Sequence, residues 1–315
     1  MPTGPPAAIV PHARAVRLPG TSVTYYDDPA APAQLSSYIA PNGYGYIRQP
    51  DGAFAPVHPL GQGTVSPDGR WTAAIVLVQE GFATGTRLTV TDRRTGRSRT
   101  IATPGFTVAA DSILTWSASG ARLFVTAVSA DRNIGFAWGD APGFGMHLVS
   151  VPGDGWVYDD SFFYADPAGT GAVFNVQVGS TRVSRVAGPL RFVTLTGAQT
   201  SQVPGAVIPS PLPTPFSPSG KLLLVLCSVG QCVLNAATGG TVAKIPFLGY
   251  DGGPEYPAQD IGWYDNSHFL SWIAVGADQY ELVTADLSGL VTGVLAIDRS
   301  LDIPQMYFRP RGSAP

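Results

Sequence analysis

The sequence predicts an all-β protein, a six-bladed β-propeller in which strands from the amino- and carboxyl-terminal ends complete one blade. Three observations support this fold class. The composition is rich in turn residues, a strand–turn–strand motif recurs about every fifty residues, and an isolated strand motif follows the last complete repeat. A seven-bladed alternative stays open, because Leu18-Pro-Gly20 could begin a complete additional blade before residue 60.

Composition restricts the class of protein first. Of 315 residues, 37 are Gly and 29 are Pro, while hydrophobic residues make up 44% and charged residues 13%. These values exclude a disordered chain and a helical bundle, and they favour many short strands joined by turns. The net charge is −3 and the only lysines are Lys221 and Lys244, so no nucleic-acid partner is expected. No apolar run approaches the ~20 residues that span a bilayer.

The first tight turn of each repeat defines the period. It ends in Gly69, Gly120, Gly169 and Gly220, which are separated by 51, 49 and 51 residues. Val65-Ser-Pro-Asp-Gly69 has the composition of a type I turn followed by a residue with positive φ, which glycine adopts without strain. A fifth copy has Asn266 in the glycine position, and we expect the same left-handed conformation there.

A second hairpin follows within three of the periods, with turns that end at Gly96, Gly239 and Gly289. Each period therefore holds four strands and two tight turns, which is the unit of a propeller blade. In such a blade the first and third turns lie at one end. The longer connections fall at the opposite end, and they are Gln79–Thr86, Ser129–Gly145, Gly179–Pro189, Pro204–Pro213, Phe247–Gln259 and Ile297–Pro304.

The carboxyl-terminal segment predicts how the ring closes. Met306-Tyr-Phe-Arg-Pro-Arg-Gly312 repeats the first strand and turn, but no complete blade follows. Strands from the other end of the chain must complete this blade, since an open ring would leave sheet edges exposed. The candidate strands are Thr21–Tyr26, Ser37–Ala40, Tyr44–Gln49 and Ala53–Val57. We expect residues 1–15 to be an extension or linker and residues 16–315 to be a single propeller domain.

Val65-Ser-Pro-Asp-Gly-Arg-Trp and Phe216-Ser-Pro-Ser-Gly-Lys resemble the F-S-P-D-G-[KR] hallmark of the TolB-like (WD40-like, PD40) β-propeller family. The resemblance extends over residues 60–312 and is specific for the fold rather than for a function. It implies a bacterial extracytoplasmic protein-binding module, or a propeller domain attached to a peptidase.

Cys227 and Cys232 flank the dipeptide Val229-Gly230, which fits a two-residue hairpin turn. Opposite positions in such a hairpin come close enough for a disulfide, and two buried thiols are the alternative. A disulfide would indicate an oxidising compartment. We therefore expect an extracytoplasmic protein, secreted or held by a membrane anchor beyond the given residues. A cytoplasmic location is the alternative, because Met1-Pro-Thr-Gly-Pro-Pro lacks the features of a signal peptide.

The long connections supply the candidate binding residues, because loops on a rigid scaffold commonly carry function. Ser129–Gly145 combines Phe136, Trp138 and Phe144 with Arg132, which are residue types common at contact anchors. Alternatively, this segment folds over a blade edge with Trp138 in a small core of its own.

The connection Phe247–Gln259 contributes Tyr250, Asp251 and Tyr256 as further candidates. Carboxylates in this region could bind Ca²⁺, but the spacing matches no calcium motif, and a solvated loop is the simpler interpretation.

No catalytic or metal-binding motif appears in the sequence: the four histidines are scattered, and zinc, nucleophile-elbow and phosphate-loop patterns are missing. We therefore assign no catalytic residue, metal ligand or cofactor. The predicted function is a non-enzymatic β-propeller that binds a protein or small molecule on the long-loop face. The alternative is a propeller lyase or hydrolase with its site at the mouth of the central channel.

Overall fold

The computed structural model describes residues 12–57, 61–80, 83–109, 112–129, 134–151, 162–178, 186–208, 212, 215–227, 230–245, 259–276, 279–300 and 303–311. These residues form 26 strands. In chain order the strands are β1 (Arg14–Arg17), β2 (Thr24–Asp27), β3 (Ala33–Ile39), β4 (Gly45–Arg48), β5 (Phe54–Pro56), β6 (Gly61–Val65), β7 (Trp71–Glu80), β8 (Ala83–Asp92), β9 (Arg97–Thr100), β10 (Phe106–Val108), β11 (Thr115–Trp116), β12 (Arg122–Ser129), β13 (Ile134–Asp140), β14 (His147–Ser150), β15 (Phe163–Ala165), β16 (Gly171–Val178), β17 (Val186–Thr194), β18 (Gln199–Val203), β19 (Leu222–Cys227), β20 (Gly230–Asn235), β21 (Thr241–Ile245), β22 (Gln259–Trp263), β23 (His268–Gly276), β24 (Gln279–Asp286), β25 (Val291–Asp298) and β26 (Gln305–Pro310). Within these ranges, no helix could span a membrane.

The strands form six antiparallel sheets, and the fold class is an all-β, six-bladed β-propeller, as the sequence predicts. The sheet orders are β6-β7-β8-β9, β10-β12-β13-β14 with β11 also on β12, β15-β16-β17-β18, β19-β20-β21, β1-β2-β25-β24-β23-β22, and β26-β3-β4-β5. In the three-stranded sheet, Val207 and Phe216 form isolated antiparallel bridges with Leu226 and Leu223 of β19. Six blades, rather than seven, account for the described strands.

The chain divides into two compact units, which we describe separately. The first comprises Met1–Pro56, Leu212–Leu224 and Val229–Gly312, and the second comprises Val57–Pro211, Val225–Ser228 and Ser313–Pro315. A core cluster of the first unit contains Trp272, Tyr38 and Phe308, all buried. The second unit has one cluster around Trp71 and Phe144 and another around Phe136 and Phe163.

The sheet β26-β3-β4-β5, which we call the closing blade, confirms the predicted pairing of the two chain ends. Its register runs from Gln305 opposite Ile39 to Pro310 opposite Ala33. The prediction that Thr21–Tyr26 belongs to this blade is wrong. Strand β2 instead pairs with β25, and β1 pairs with β2, so the last blade has six strands. Burial explains this position, because Val23 and Tyr25 lie in the core.

An ion-pair cluster joins these two blades. Asp27 at the end of β2 accepts hydrogen bonds from Arg48 at 2.5 Å and from Arg311 at 2.7 Å. Although burial acts to raise the pKa of Asp27, hydrogen bonds from Arg48 and Arg311 and their positive charges lower it below the ordinary value. The cluster therefore stabilises the position of β2 beside the closing blade.

The first tight turns confirm the repeat. Gly69, Gly120, Gly169 and Gly220 have φ values of 74°, 70°, 73° and 71°. Where a serine opens the turn, its hydroxyl oxygen accepts a hydrogen bond from the backbone N–H five residues later, as Ser66 does from Trp71 at 2.9 Å. These hydrogen bonds fix the hairpin geometry that the Ser-x-x-Gly pattern predicts.

The expected left-handed conformation of Asn266 is wrong. Among the described non-glycine residues only Phe144 has a positive φ. The turn is one residue shorter, since the backbone N–H of Tyr264 donates to the carbonyl of His268. Asn266 serves another purpose, because its side-chain oxygen accepts from the backbone N–H of Ser219 at 2.8 Å.

Cys227 and Cys232 form a disulfide between β19 and β20, as the sequence predicts. Cys232 is 2% exposed, and Cys227 is partly exposed.

Candidate functional site

Strand β13 carries most of the predicted aromatic site. The connections Gln79–Thr86 and Ser129–Gly145 were expected to be long loops, but β7 and β8 occupy most of the first and β13 occupies Ile134–Asp140 in the second. Large and small residues alternate along β13, which is the pattern of a strand packed on both faces. A Cβ atom on Gly135 would lie 2.1 Å from the carbonyl oxygen of Val149 on β14. The absence of a side chain at Gly135 therefore allows the backbones of β13 and β14 to approach closely.

The rings of Phe136 and Phe144 are buried rather than exposed. Phe136 is 0% exposed and contacts Phe124 and Phe163 with ring centroids 6.0 and 5.6 Å apart. Phe144 is 1% exposed and makes edge contacts with the rings of two tryptophans, Trp71 and Trp116. In this conformation neither ring presents a surface to a partner.

Trp138 is half-buried. The sequence predicts that it lies at the end of the blade that carries the long connections, but the structure places it at the opposite end. Arg122, its diagonal neighbour on β12, directly follows the tight turn that contains Gly120, so Trp138 lies at the tight-turn end of its blade. Its indole N–H donates to the carbonyl of Leu195 at 3.3 Å. The aromatic candidate therefore lies beside the short turns, not beside the long connections.

Two cationic or aromatic neighbours contact the Trp138 indole. The guanidinium carbon of Arg122 lies 4.4 Å from the ring centroid, which is a cation–π contact. The imidazole of His147 on β14 lies 4.6 Å away, centroid to centroid, with an interplanar angle of 31°. Because Arg122 and His147 come from the strands on either side of β13, they fix the indole between them.

Asp140 holds Arg122 in place. Nε and Nη2 of Arg122 donate to the two carboxylate oxygens at 2.6 and 3.0 Å, and Nη1 donates to the carbonyl of Gly169. The hydrogen bond from Arg122 lowers the pKa of Asp140, burial opposes this effect, and the charges of Arg122 and His147 add to the lowering. The carboxylate thus stays ionised beside the guanidinium. We call Arg122, Trp138, Asp140 and His147 the Trp138 stack.

A second feature, which we call the arginine hairpin, comprises residues 92–100 at the turn between β8 and β9. Four of the seven residues from 93 to 99 are arginine, and Arg94, Arg97 and Arg99 are exposed. Arg93 donates to the carbonyl of Gly69 at 3.0 Å, and burial lowers the pKa of its guanidinium. The sequence predicts this hairpin through its turn at Gly96, but its arginines were not among the predicted site residues, although their density in a chain with few charges was a signal.

The arginine hairpin contacts the turn between β13 and β14. Arg99 donates to the carbonyl of Pro142, and its guanidinium carbon lies 5.4 Å from the Phe144 ring centroid. The same β13–β14 turn follows Asp140 and precedes His147. The hairpin and the Trp138 stack are therefore linked through this turn.

The other predicted site residues, Arg132, Tyr250, Asp251 and Tyr256, lie outside the described residues. In the part of the chain that the structure describes, no three metal-ligating side chains form a group that could hold an ion. The candidate calcium site stays a prediction, since its residues belong to the undescribed segment.

Comparisons with known proteins agree with the fold. No protein-family model and no curated protein matches the chain. TolB from Acinetobacter baumannii matches with a TM-score of 0.50 and 14% identity, covering 90% of this chain and 67% of that one. The β-propeller domain of the Trilobed protease from Pyrococcus furiosus gives 0.54 and 10%, covering 90% and 83%.

An oligogalacturonate lyase in complex with manganese gives a TM-score of 0.51 and 11% identity, covering 89% of this chain and 82% of that one. At these identities the likeness shows the fold alone. It confirms the structural resemblance to TolB-like propellers, and it also shows that an enzyme uses the same fold.

Proposed function

We propose that this protein is a non-enzymatic binding propeller that acts outside the cytoplasm and contacts a protein partner through the Trp138 stack. The observation that carries the proposal is the half-buried indole of Trp138, held between Arg122 and His147. Tryptophan and arginine are the residue types that most often dominate the energy of protein interfaces.

Pre-organisation supports this role. Asp140 and the carbonyl of Gly169 hold the Arg122 guanidinium, and Leu195 accepts from the indole N–H. A partner would meet side chains that are already ordered, so less conformational entropy would be lost on binding. Its own surface would need an apolar or aromatic group for Trp138 and an acceptor beside His147.

The disulfide supports the proposed location. Disulfides persist in oxidising compartments and are rare in the cytosol, where thiols are kept reduced. The Cys227–Cys232 bond therefore favours a secreted or periplasm-like environment.

The experiment identifies a partner by photo-crosslinking and then measures its affinity. A photoreactive phenylalanine analogue replaces the exposed His147, and a matched probe replaces Val242, which is 52% exposed on β21. The crosslinked protein is purified, and its dissociation constant is measured with the wild type, Trp138→Ala and Val242→Ala. We expect Trp138→Ala to weaken binding by about 30-fold, as for a hot spot near 2 kcal/mol, and Val242→Ala to leave it unchanged.

Two results would overturn the proposal. One is an equal affinity of the Trp138→Ala and wild-type proteins for every partner captured at position 147. The other is turnover: cleavage of oligogalacturonate by β-elimination with added Mn²⁺, detected by ultraviolet absorbance of the unsaturated product, would favour the lyase alternative.

A further inference from the structure

We infer that the outer edge of β9, in the arginine hairpin, binds an acidic, extended segment of a protein partner as an added β-strand. This inference rests on the proposed function, because it specifies the chemistry of one part of the protein partner.

Strand β9 lies at the edge of its sheet. It is the last strand in the order β6-β7-β8-β9, and no described strand pairs with its outer side. The N–H of Ile101 donates to the carbonyl of Leu88 at 2.8 Å. Because hydrogen-bonded pairs alternate in an antiparallel ladder, Arg97 and Arg99 also bond toward β8. The backbone groups of Ser98 and Thr100 therefore point outward.

The described residues do not compensate the positive charge at this edge. Arg94 and Arg97 are exposed and form no ion pair with any described residue. Asp92, which lies opposite Arg97 in the register, instead accepts from Nη2 of Arg70 at 3.3 Å. Positive charge thus accumulates on one edge of a protein whose net charge is −3. An acidic segment is the complement of this edge.

The protein itself shows that an outer blade edge can accept a strand. In the last blade, β2 pairs with β25 through Thr24 opposite Ile297 and Tyr25 opposite Ala296. Edge strands generally act as templates for such pairing, and peptides add to exposed sheet edges by the same hydrogen bonds.

The register of β9 specifies the peptide pattern. Side chains alternate across a strand, so Arg97 and Arg99 lie on one face and Ser98 and Thr100 on the other. Cross-strand neighbours on one face interact most strongly when their charges are opposite. The matching segment therefore has acidic residues at positions i and i+2, with small or β-branched residues between them.

The experiment uses the full protein and a synthetic peptide with three Glu-Val repeats, blocked at both ends. One control peptide has the same composition with the glutamates adjacent, and a second has N-methylated valines that cannot complete the ladder. Binding is measured by calorimetry at low ionic strength. Hydrogen exchange of the Ser98 and Thr100 amides is followed with and without peptide.

Two variants test the edge. Arg97→Glu reverses one charge, and Ser98→Pro removes an outward N–H without removing a bond to β8. The matched control is Arg14→Glu, which reverses an exposed arginine on the edge strand β1. Thermal melting of each variant reports whether it remains folded.

We expect the alternating peptide to bind the wild type and Arg14→Glu equally, and to bind Arg97→Glu and Ser98→Pro at least tenfold more weakly, a loss of about 1.4 kcal/mol. The amides of Ser98 and Thr100 should become protected. The inference would be overturned if the alternating peptide did not bind, if the N-methylated peptide bound equally well, or if folded Ser98→Pro bound the peptide as the wild type does. Displacement of the peptide from this edge by anionic vesicles would also overturn it.

The outcome is separable from that of the proposed function. If Trp138→Ala weakens partner binding while the peptide does not bind, only the edge-strand inference fails. If the peptide binds as expected while Trp138→Ala leaves partner affinity unchanged, the role proposed for the Trp138 stack fails alone.

Discussion

Asp27 accepts a hydrogen bond from Nη2 of Arg311 at 2.7 Å, although 284 positions separate the two residues in the chain. The same carboxylate accepts from Arg48 on β4. Strand β2 belongs to the last blade, whereas β4 and the end of β26 belong to the closing blade. One carboxylate thus connects three segments that meet where the two ends of the chain come together.

We expect Asp27→Asn to destabilise the protein by about 1–3 kcal/mol at pH 7, because it leaves two partly buried guanidinium groups without an anionic acceptor. Urea unfolding measures the change. Asp28→Asn is the matched control, since Asn keeps the side-chain oxygen that accepts from the N–H of Ala30. Equal losses in both variants would contradict a specific role for the ion pairs.

The same substitution should change the acid dependence of stability. The pKa of Asp27 is lowered in the folded protein, so its stabilisation is complete above the ordinary aspartate pKa of about 3.9. It is lost as the pH falls below that value and through the lowered folded-state pKa. Unfolding free energy measured from pH 7 to pH 2 should therefore fall less steeply for Asp27→Asn than for Asp28→Asn. Parallel pH profiles would contradict this assignment.

We expect loss of the disulfide to destabilise the protein by roughly 2 kcal/mol, because the bond closes only a small loop in the unfolded chain. The double variant Cys227→Ser/Cys232→Ser should match the reduced wild type in its urea midpoint and should not respond to added reductant. A wild-type midpoint that reductant leaves unchanged, while thiol labelling confirms reduction, would contradict this prediction.

The repeat was predictable because each of the four glycine turns is specified locally, by a glycine with positive φ and by a serine or, at Asp166, an aspartate that opens the turn. Asn266 departed from the pattern because one residue fewer separates the two strands, which residue type alone does not reveal. The pairing of β2 with β25 was not predictable either. It depends on the free edge of β25, a strand that is far from β2 in the sequence.

Phe144 occupies the position that Gly96 has in the preceding blade. The N–H of Phe144 bonds to the carbonyl of Asp140 and that of Gly96 to Asp92, and φ is 46° and 70° respectively. We expect Phe144→Ala to lose about 3–5 kcal/mol of stability, as buried aromatic residues do. Phe144→Gly should be about 1 kcal/mol more stable than Phe144→Ala, because glycine relieves the left-handed backbone.

The matched control is Gly96→Ala. A Cβ atom there would meet no heavy atom within 4 Å, so its expected cost of about 1 kcal/mol comes from the backbone conformation alone. If Phe144→Ala has a higher thermal unfolding midpoint than Phe144→Gly, the conformational argument is wrong.

Gly171 allows a close approach between β16 and β17. A Cβ atom there would lie 2.0 Å from the carbonyl oxygen of Val193, and backbone cannot yield as a flexible side chain can. We expect Gly171→Ala to lower stability by about 2 kcal/mol or more. Gly145→Ala is the control, because its Cβ would meet nothing within 4 Å. Similar unfolding midpoints for the two variants would contradict the packing argument.

The candidate site was predictable in part. Trp138 could be selected by residue type, and the alternation from Ile134 to Asp140 was a strand signal within a segment interpreted as a loop. The burial of Phe136 and Phe144 required knowledge of neighbouring blades, because their ring partners lie on other strands. The contact of Arg99 with the β13–β14 turn also depends on packing between blades.

The pairing of β26 with β3 has a consequence for the order of assembly during synthesis. Strand β3 emerges from the ribosome long before the residues of β26 that cover its edge. Until those residues arrive, the nascent chain carries an unpaired strand template that is prone to intermolecular association. Chaperones that shield extended segments should therefore be needed most while β26 is still untranslated.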